Sequence, residues 1–162
     1  MGHDHRGFSL IELLIVVAII LIIAAIAIPN FLRSRVAANQ ASAIESIRVI
    51  STGEVTYSTT FGTGYSTSLA YLGPPAPGNA VSSTAAGLVD DTLAAGAKSG
   101  YVFTYTSTLF NASTGTWNGF TLQGNPAAYG QSGGVYYYMD QSFVIHANST
   151  NVASSTDMPI GN

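Results

Sequence analysis

The chain has 162 residues, 47% of them hydrophobic and only 8% charged, with a net charge of −3 and no cysteine. No basic tract is present, which argues against nucleic acid as a partner. Without disulfides, a domain of this size must hold itself by packing and sheet hydrogen bonds, or by burial in an oligomer.

Residues 1–7 form a short polar leader containing Asp4, Arg6, His3 and His5. Two histidines in a flexible leader read as solvated residues rather than a metal site. Beyond the leader, Leu13 to Ile28 runs without a polar residue. A helix over 8–28 reaches about 31 Å at about 1.5 Å per residue, the thickness of a bilayer's hydrocarbon core. Glu12 stands out there, because an unpaired carboxylate in lipid is costly and intramembrane acids usually have a partner. A cut between Gly7 and Phe8 would create that partner. The new amine of Phe8 would lie about one turn from Glu12, at the positive end of the helix dipole, and could pair with it in the same chain or in a neighbour.

Arg6-Gly7-Phe8-Ser9-Leu10-Ile11-Glu12-Leu13, the apolar run after it and Pro29 at its far end resemble the processing site of type IV prepilins and of the pseudopilins of type II secretion systems. The resemblance implies cleavage between Gly7 and Phe8 by a prepilin peptidase on the cytoplasmic side, followed by N-methylation of Phe8. It also implies assembly through Phe8, Glu12 and Pro29, with Glu12 pairing with the Phe8 amine of an adjacent subunit. The absence of cysteine departs from the many type IV pilins whose C-terminal loop is closed by a disulfide. Two other readings of the N-terminus stay open. Ala25-Ile26-Ala27 has the form of a signal-peptidase site, which leaves Glu12 unexplained. A plain single-pass anchor is the other. Charge does not decide orientation, since Arg6 precedes the run while Arg33 and Arg35 follow it; a cytoplasmic N-terminus is what the resemblance implies.

Pro29 lacks an N–H and crowds the carbonyl of Ala25, so a kink or loosening across Ala25–Pro29 is expected. The helix then continues from Asn30 to about Ser58 in amphipathic form. Val36, Ala43, Ile44, Ile47, Ile50 and Tyr57 make a stripe that reads as core, and Arg35, Gln40, Ser42, Glu45 and Arg48 occupy other faces. Gly53 is expected to weaken the helix near its end. Residues 59–100 turn irregular, with Pro74-Pro75-Ala76-Pro77-Gly78 incompatible with an ordinary helix or central strand. A short helix is predicted around Ser83–Ala97, with Asp90 and Asp91 exposed on it rather than binding calcium.

After Gly100 the period changes to two. Residues 101–106, 119–123, 135–139 and 142–147 read as four strands rich in aromatic and β-branched side chains. Asn111–Gly119 and Gly124–Gly134 supply the first two connections and Asp140-Gln141 a tight turn. Short connections favour an antiparallel meander. The tail from Asn148 to Asn162 reads as a loop or a capping strand against a neighbour. The expected organisation is a leader at 1–7, a transmembrane or filament-core helix at 8–29, its amphipathic continuation at 30–58, loops at 59–100 and sheet with tail at 101–162. The fold class is α+β, a long N-terminal helix packed on an antiparallel sheet of about four strands, which is also what the pilin resemblance implies.

No nucleophile and base come together in the sequence. His146 is the only histidine outside the leader, and a lone strand histidine reads as a packed or exposed side chain. Gly130-Gln131-Ser132-Gly133-Gly134 lacks the Lys and following helix of a phosphate loop. Tyr136-Tyr137-Tyr138 is explained by sheet packing. Asn111-Ala112-Ser113 and Asn148-Ser149-Thr150 match the glycosylation sequon. No catalytic residue, metal site or cofactor is expected. The leading expectation is a structural subunit of an extracellular type IV pilus-like filament; the alternatives are a pseudopilin of type II secretion and a membrane-anchored binding domain that never polymerises. The partners implied are copies of itself, the prepilin peptidase and methyltransferase, the inner-membrane assembly machinery and, before assembly, the membrane.

Overall fold

The computed structural model describes residues 8–160; the leader, with Gly7, His3 and His5, lies outside the described residues, as do Gly161 and Asn162. The chain divides into two compact units, residues 1–35 and 36–162, called here the stem and the head. Helix α1, Leu10–Phe61, begins in the first and ends in the second, and Pro29 lies inside it without a break in the helical backbone. Gly53 does not end the helix either, which runs eight residues further. This glycine is buried, and a Cβ there would meet Leu88, Leu72 and Val89 at 3.6–3.7 Å, ordinary contact distances.

In the head, the predicted stripe is the buried face of α1. Ala43, Ile47, Ile50 and Tyr57 are buried, and Val36 and Ile44 are partly so. Opposite them stand Phe103, Phe120, Leu122, Tyr137 and Met139 from the sheet. Each large side chain removed completely from water, such as Phe120 or Leu122, contributes about 1.5–3 kcal/mol.

The sheet is an antiparallel meander in the order β1 (Ala97–Lys98), β2 (Tyr101–Asn111), β3 (Thr116–Pro126), β4 (Tyr136–Asp140), β5 (His146–Asn148) and β6 (Met158–Pro159). The class and the meander agree with the sequence reading, but several boundaries differ. The first connection is only Ala112–Gly115, because β2 and β3 stay paired out to Asn111↔Thr116. Asn111 closes that turn, its Oδ1 accepting from Ser113 N and its carbonyl from Gly115 N, with Gly115 at φ 69°. The fourth predicted strand shrinks to its end. Asp140 Oδ1 accepts from Ser142 N and the Asp140 carbonyl accepts from Phe143 N, and Phe143 takes a left-handed φ of 60°, outside the extended range of regular strand. Two further strands of two residues each flank the sheet. One of them, β6, lies in the predicted tail and pairs with β5 of the same chain.

The predicted helix over 83–97 is reduced to α2, Asp91–Ala94. Gly87 at φ 67° interrupts it, and Asp90 serves as its N-cap by accepting from Leu93 N. Asp90 also takes the Thr92 hydroxyl and Lys98 Nζ, at 2.6 Å from the latter, which together hold its carboxyl well below the usual carboxylate range. Between α1 and α2, a single 3-10 turn at Leu69–Leu72 is capped by Ser68, and the Leu72 carbonyl accepts from Leu88 N and Val89 N. These bonds lay an otherwise irregular segment against α1.

Candidate functional site

The stem carries the residues that the sequence marks for processing and assembly. Ser9 precedes the first helical residue, and Glu12 Oε2 accepts a hydrogen bond from Ser9 N at 2.8 Å. Leu13 N donates to the Ser9 carbonyl at 3.3 Å. Ser9 and Glu12 thus adopt half of a capping box, in which a carboxylate at the third helical position reaches back to the residue ahead of the helix. The Ser9-Leu10-Ile11-Glu12 spacing carried that signal, and the reading of Glu12 as an intramembrane acid overlooked it. Phe8 lies just ahead of the helix and is 82% exposed.

From Leu10 to Leu32 the helix has no buried side chain, and its large apolar residues are exposed on every face. Its most apolar window has a mean hydropathy of 3.3, long and apolar enough to cross a membrane. A helix that is apolar all round is stable only when lipid or other helices surround it. Pro29 sits in this exposed stretch.

In the head, the other sequence candidates have ordinary structural partners. His146 Nδ1 donates to the Asp157 carbonyl at 2.7 Å, so that nitrogen carries the proton. Tyr137 is buried beside Tyr101, while Tyr136 stacks on Tyr129 and Tyr138 lies against His146. The glycine-rich stretch is a tight turn, and a Cβ on Gly133 would fall 2.2 Å from the Tyr101 hydroxyl. The two sequon asparagines differ. Asn148 is committed on both sides, its Nδ2 donating to Asp157 and its Oδ1 accepting from Thr150 and Asn151, whereas Asn111 sits at the exposed β2–β3 turn. Among the described residues, no group of three or more His, Cys, Asp or Glu side chains comes together.

One polar cluster was not among the sequence candidates. Glu54, on the buried face of α1, is fully enclosed, and Ser66 gives it both its backbone N–H, at 2.9 Å, and its hydroxyl. Tyr105 of β2 donates to the Ser66 carbonyl at 2.9 Å. Burial pushes the Glu54 carboxyl up, against the opposing pull of these hydrogen bonds. Four residues after Ile50 and three before Tyr57, Glu54 falls on the apolar stripe, and that spacing was the signal that could have found it.

A long exposed apolar helix with a capped N-terminus, continuing into a meander-sheet head, makes this an α+β chain whose helix is long and apolar enough to cross a membrane. Comparison with known proteins narrows the class. Residues 2–28 match the prokaryotic N-terminal methylation motif. The chain is 47% identical over 53 residues to the type IV major pilin protein PilA of Myxococcus xanthus, which is 33% of this chain and 24% of that protein. It is 65% identical over 37 residues to the type IV wide pilus major component PilA4 of Thermus thermophilus, 23% of this chain and 28% of that one. The chain thus spans about a quarter of the length of these curated relatives. No solved structure matches it significantly. Over the residues matched, the N-terminal segment is thus similar to that of type IV pilins and carries the prokaryotic methylation motif.

Proposed function

We propose that this chain is a structural subunit of an extracellular type IV pilus-like filament. The observation that carries the reading is the stem, whose apolar surface is exposed on every face beneath a prepilin motif. Before assembly the stem anchors the precursor in the inner membrane with its N-terminus in the cytoplasm. The prepilin peptidase then cuts between Gly7 and Phe8, and Phe8 is N-methylated. The inner-membrane assembly machinery transfers the stem from lipid into a bundle of identical stems, and filament growth carries the head to the cell surface.

The charge arithmetic supports this order of events. Removing the leader leaves a cationic amine on Phe8, and Glu12 is the first acid it meets in the stem. Glu12 is within reach of its own helix start, as its bond to Ser9 N shows, so an incoming subunit's amine competes with that cap for the carboxylate. Apolar contact then supplies affinity and the ion pair sets axial register. The curated relatives are named as major components of type IV pili, which favours the filament over a short envelope structure.

Intact-mass measurement on protein from the native cell, together with shearing of surface material, tests the reading. A chain beginning at Phe8, heavier by one methyl group and recovered in long sheared fibres, is the expected result. A chain beginning at Ile28, or one retaining the leader, overturns the processing step. A chain found only in the envelope, whose deletion blocks secretion, makes it a pseudopilin instead.

A further inference from the structure

We propose that a groove at the β2–β3 end of the head binds the ring of a neutral sugar. It has a volume of about 160 Å³ and is walled by Tyr57 of α1, Tyr65 and Tyr71 of the following loop, and Trp117 of β3. Thr63 and Thr67 add hydroxyls, and none of the lining residues is charged. This volume is below the roughly 300 Å³ at which drug-sized pockets begin and suits a single ring.

The lining chemistry selects the ligand. Aromatic rings offer a flat apolar surface with a negative face, to which the C–H groups of a pyranose ring are complementary. Hydroxyl side chains both donate and accept, as sugar hydroxyls require. With no cation or carboxylate in the wall, an ionised ligand would leave water without compensation, so phosphate and carboxylate ligands are disfavoured.

The groove is also held in shape before any ligand arrives. Trp117 is braced by Phe110 across the hairpin, with ring centroids 4.8 Å apart. Its carbonyl accepts from Tyr65 N at 2.8 Å, and its N–H donates to the Thr63 carbonyl at 3.3 Å. That close approach requires a glycine between them, since a Cβ on Gly64 would lie 2.2 Å from the Trp117 carbonyl oxygen. Tyr65 is wedged edge-on against Phe120, and the Tyr57 hydroxyl is fixed on the Ser83 carbonyl at 2.7 Å. Little ordering remains to be done on binding, which favours affinity even in a small site.

Trp117 is the sole tryptophan, so its fluorescence reports on this groove directly. The full chain, solubilised in a zwitterionic detergent without a sugar headgroup, is titrated with glucose, galactose, N-acetylglucosamine and their short oligomers. A saturable change with a millimolar dissociation constant is expected for at least one of them, with glucuronate binding more weakly than glucose. Tyr71→Ala should weaken binding about tenfold and Tyr71→Phe, which keeps the ring, about threefold, while Tyr129→Ala outside the groove leaves it unchanged. Absence of a saturable response to every neutral sugar overturns the proposal, as does binding indifferent to both Tyr71 variants. A response to a proline-rich peptide without one to sugar would make this a peptide groove instead. The titration uses unassembled protein, so its outcome is independent of whether the chain forms filaments.

Discussion

The Glu54 carboxyl and the Ser66 hydroxyl meet at 2.5 Å in the interior of the head, and the same hydroxyl lies 3.2 Å from the Ser68 carbonyl. A serine has one proton to donate, and a carbonyl has none. The Ser66 hydroxyl donates to Glu54, with the Ser68 carbonyl as a second and longer acceptor of the same proton. The titratable groups nearby are tyrosines, Tyr57, Tyr65 and Tyr105, and no cation faces the acid to stabilise its charge.

A pH dependence follows. The folded-state value of Glu54 is raised above 4.5, so its contribution to stability is fully present below that ordinary value and is lost as pH rises through the folded one. Glu54→Gln mimics the protonated acid, with its amide donating to Ser66 and its oxygen accepting from Ser66 N. Thermal melts between pH 4 and 9 should show the wild type losing stability toward alkali while Glu54→Gln does not. Glu54→Ala strands the Ser66 N–H and should cost about 1–3 kcal/mol at all pH values. Parallel pH profiles for wild type and Glu54→Gln would contradict a raised Glu54 carboxyl.

Glu12 caps its helix, and the proposed function gives its charge a second, separable role. Glu12→Ala removes both, costing about 0.5–2 kcal/mol of local helix stability and abolishing fibres. Glu12→Gln keeps an acceptor for Ser9 N but has no charge for a Phe8 amine. Fibre yield from sheared cells should therefore be as low for Gln as for Ala, with membrane insertion intact in both. Normal yield from Glu12→Gln would mean that capping, and not ion pairing, is what the position supplies.

Gly64→Ala places a methyl group against the Trp117 backbone at a φ of 77°, where side chains are already strained. The loop must then separate from β3, breaking its two backbone hydrogen bonds to Trp117. A loss of about 2–4 kcal/mol is expected, visible in a melt, together with a red shift of the Trp117 emission. An unshifted spectrum would show that the loop does not hold Trp117.

The C-terminal loop is closed by Asp157, whose carboxylate accepts from Ser154 N at 2.7 Å, Ser154 Oγ at 2.9 Å and Asn148 Nδ2 at 2.8 Å. Those bonds, the Ser154 backbone bond foremost, lower its pKa. The contribution is complete above the ordinary value near 3.8 and is lost as pH falls through the lowered one. Limited proteolysis should cut residues 149–156 faster in Asp157→Ala than in the wild type at neutral pH. Equal cutting rates would show that the clasp does not close the loop.

These contacts mark how far the sequence alone reaches. The stem was legible because an uninterrupted apolar run has few other solutions, and the cores of β2, β3 and β4 because their aromatic and β-branched residues alternate. The stripe from Ala43 to Tyr57 was legible for the same reason of period. Strand ends were not: the Phe110↔Trp117 pair extends β2 and β3, but Leu109 at φ 54° interrupts the alternation before it, and Asn and Gly around the turn read as loop. Phe143 looked like strand by type, and only the Asp140 turn turned it left-handed. Glu54 and Ser66 meet 12 residues apart, and Asp157 reaches Asn148 at nine, so these partners were not legible, although the Ser154 to Asp157 spacing of three is local.

The Asp157 clasp makes closure of the head independent of thiol chemistry. With no cysteine in the chain, nothing in the head waits for an oxidant or an isomerase, and a wrong closure is undone as fast as a hydrogen bond breaks. The head therefore has no covalent cross-link to reshuffle, and its fold is the same whether its surroundings are oxidising or reducing.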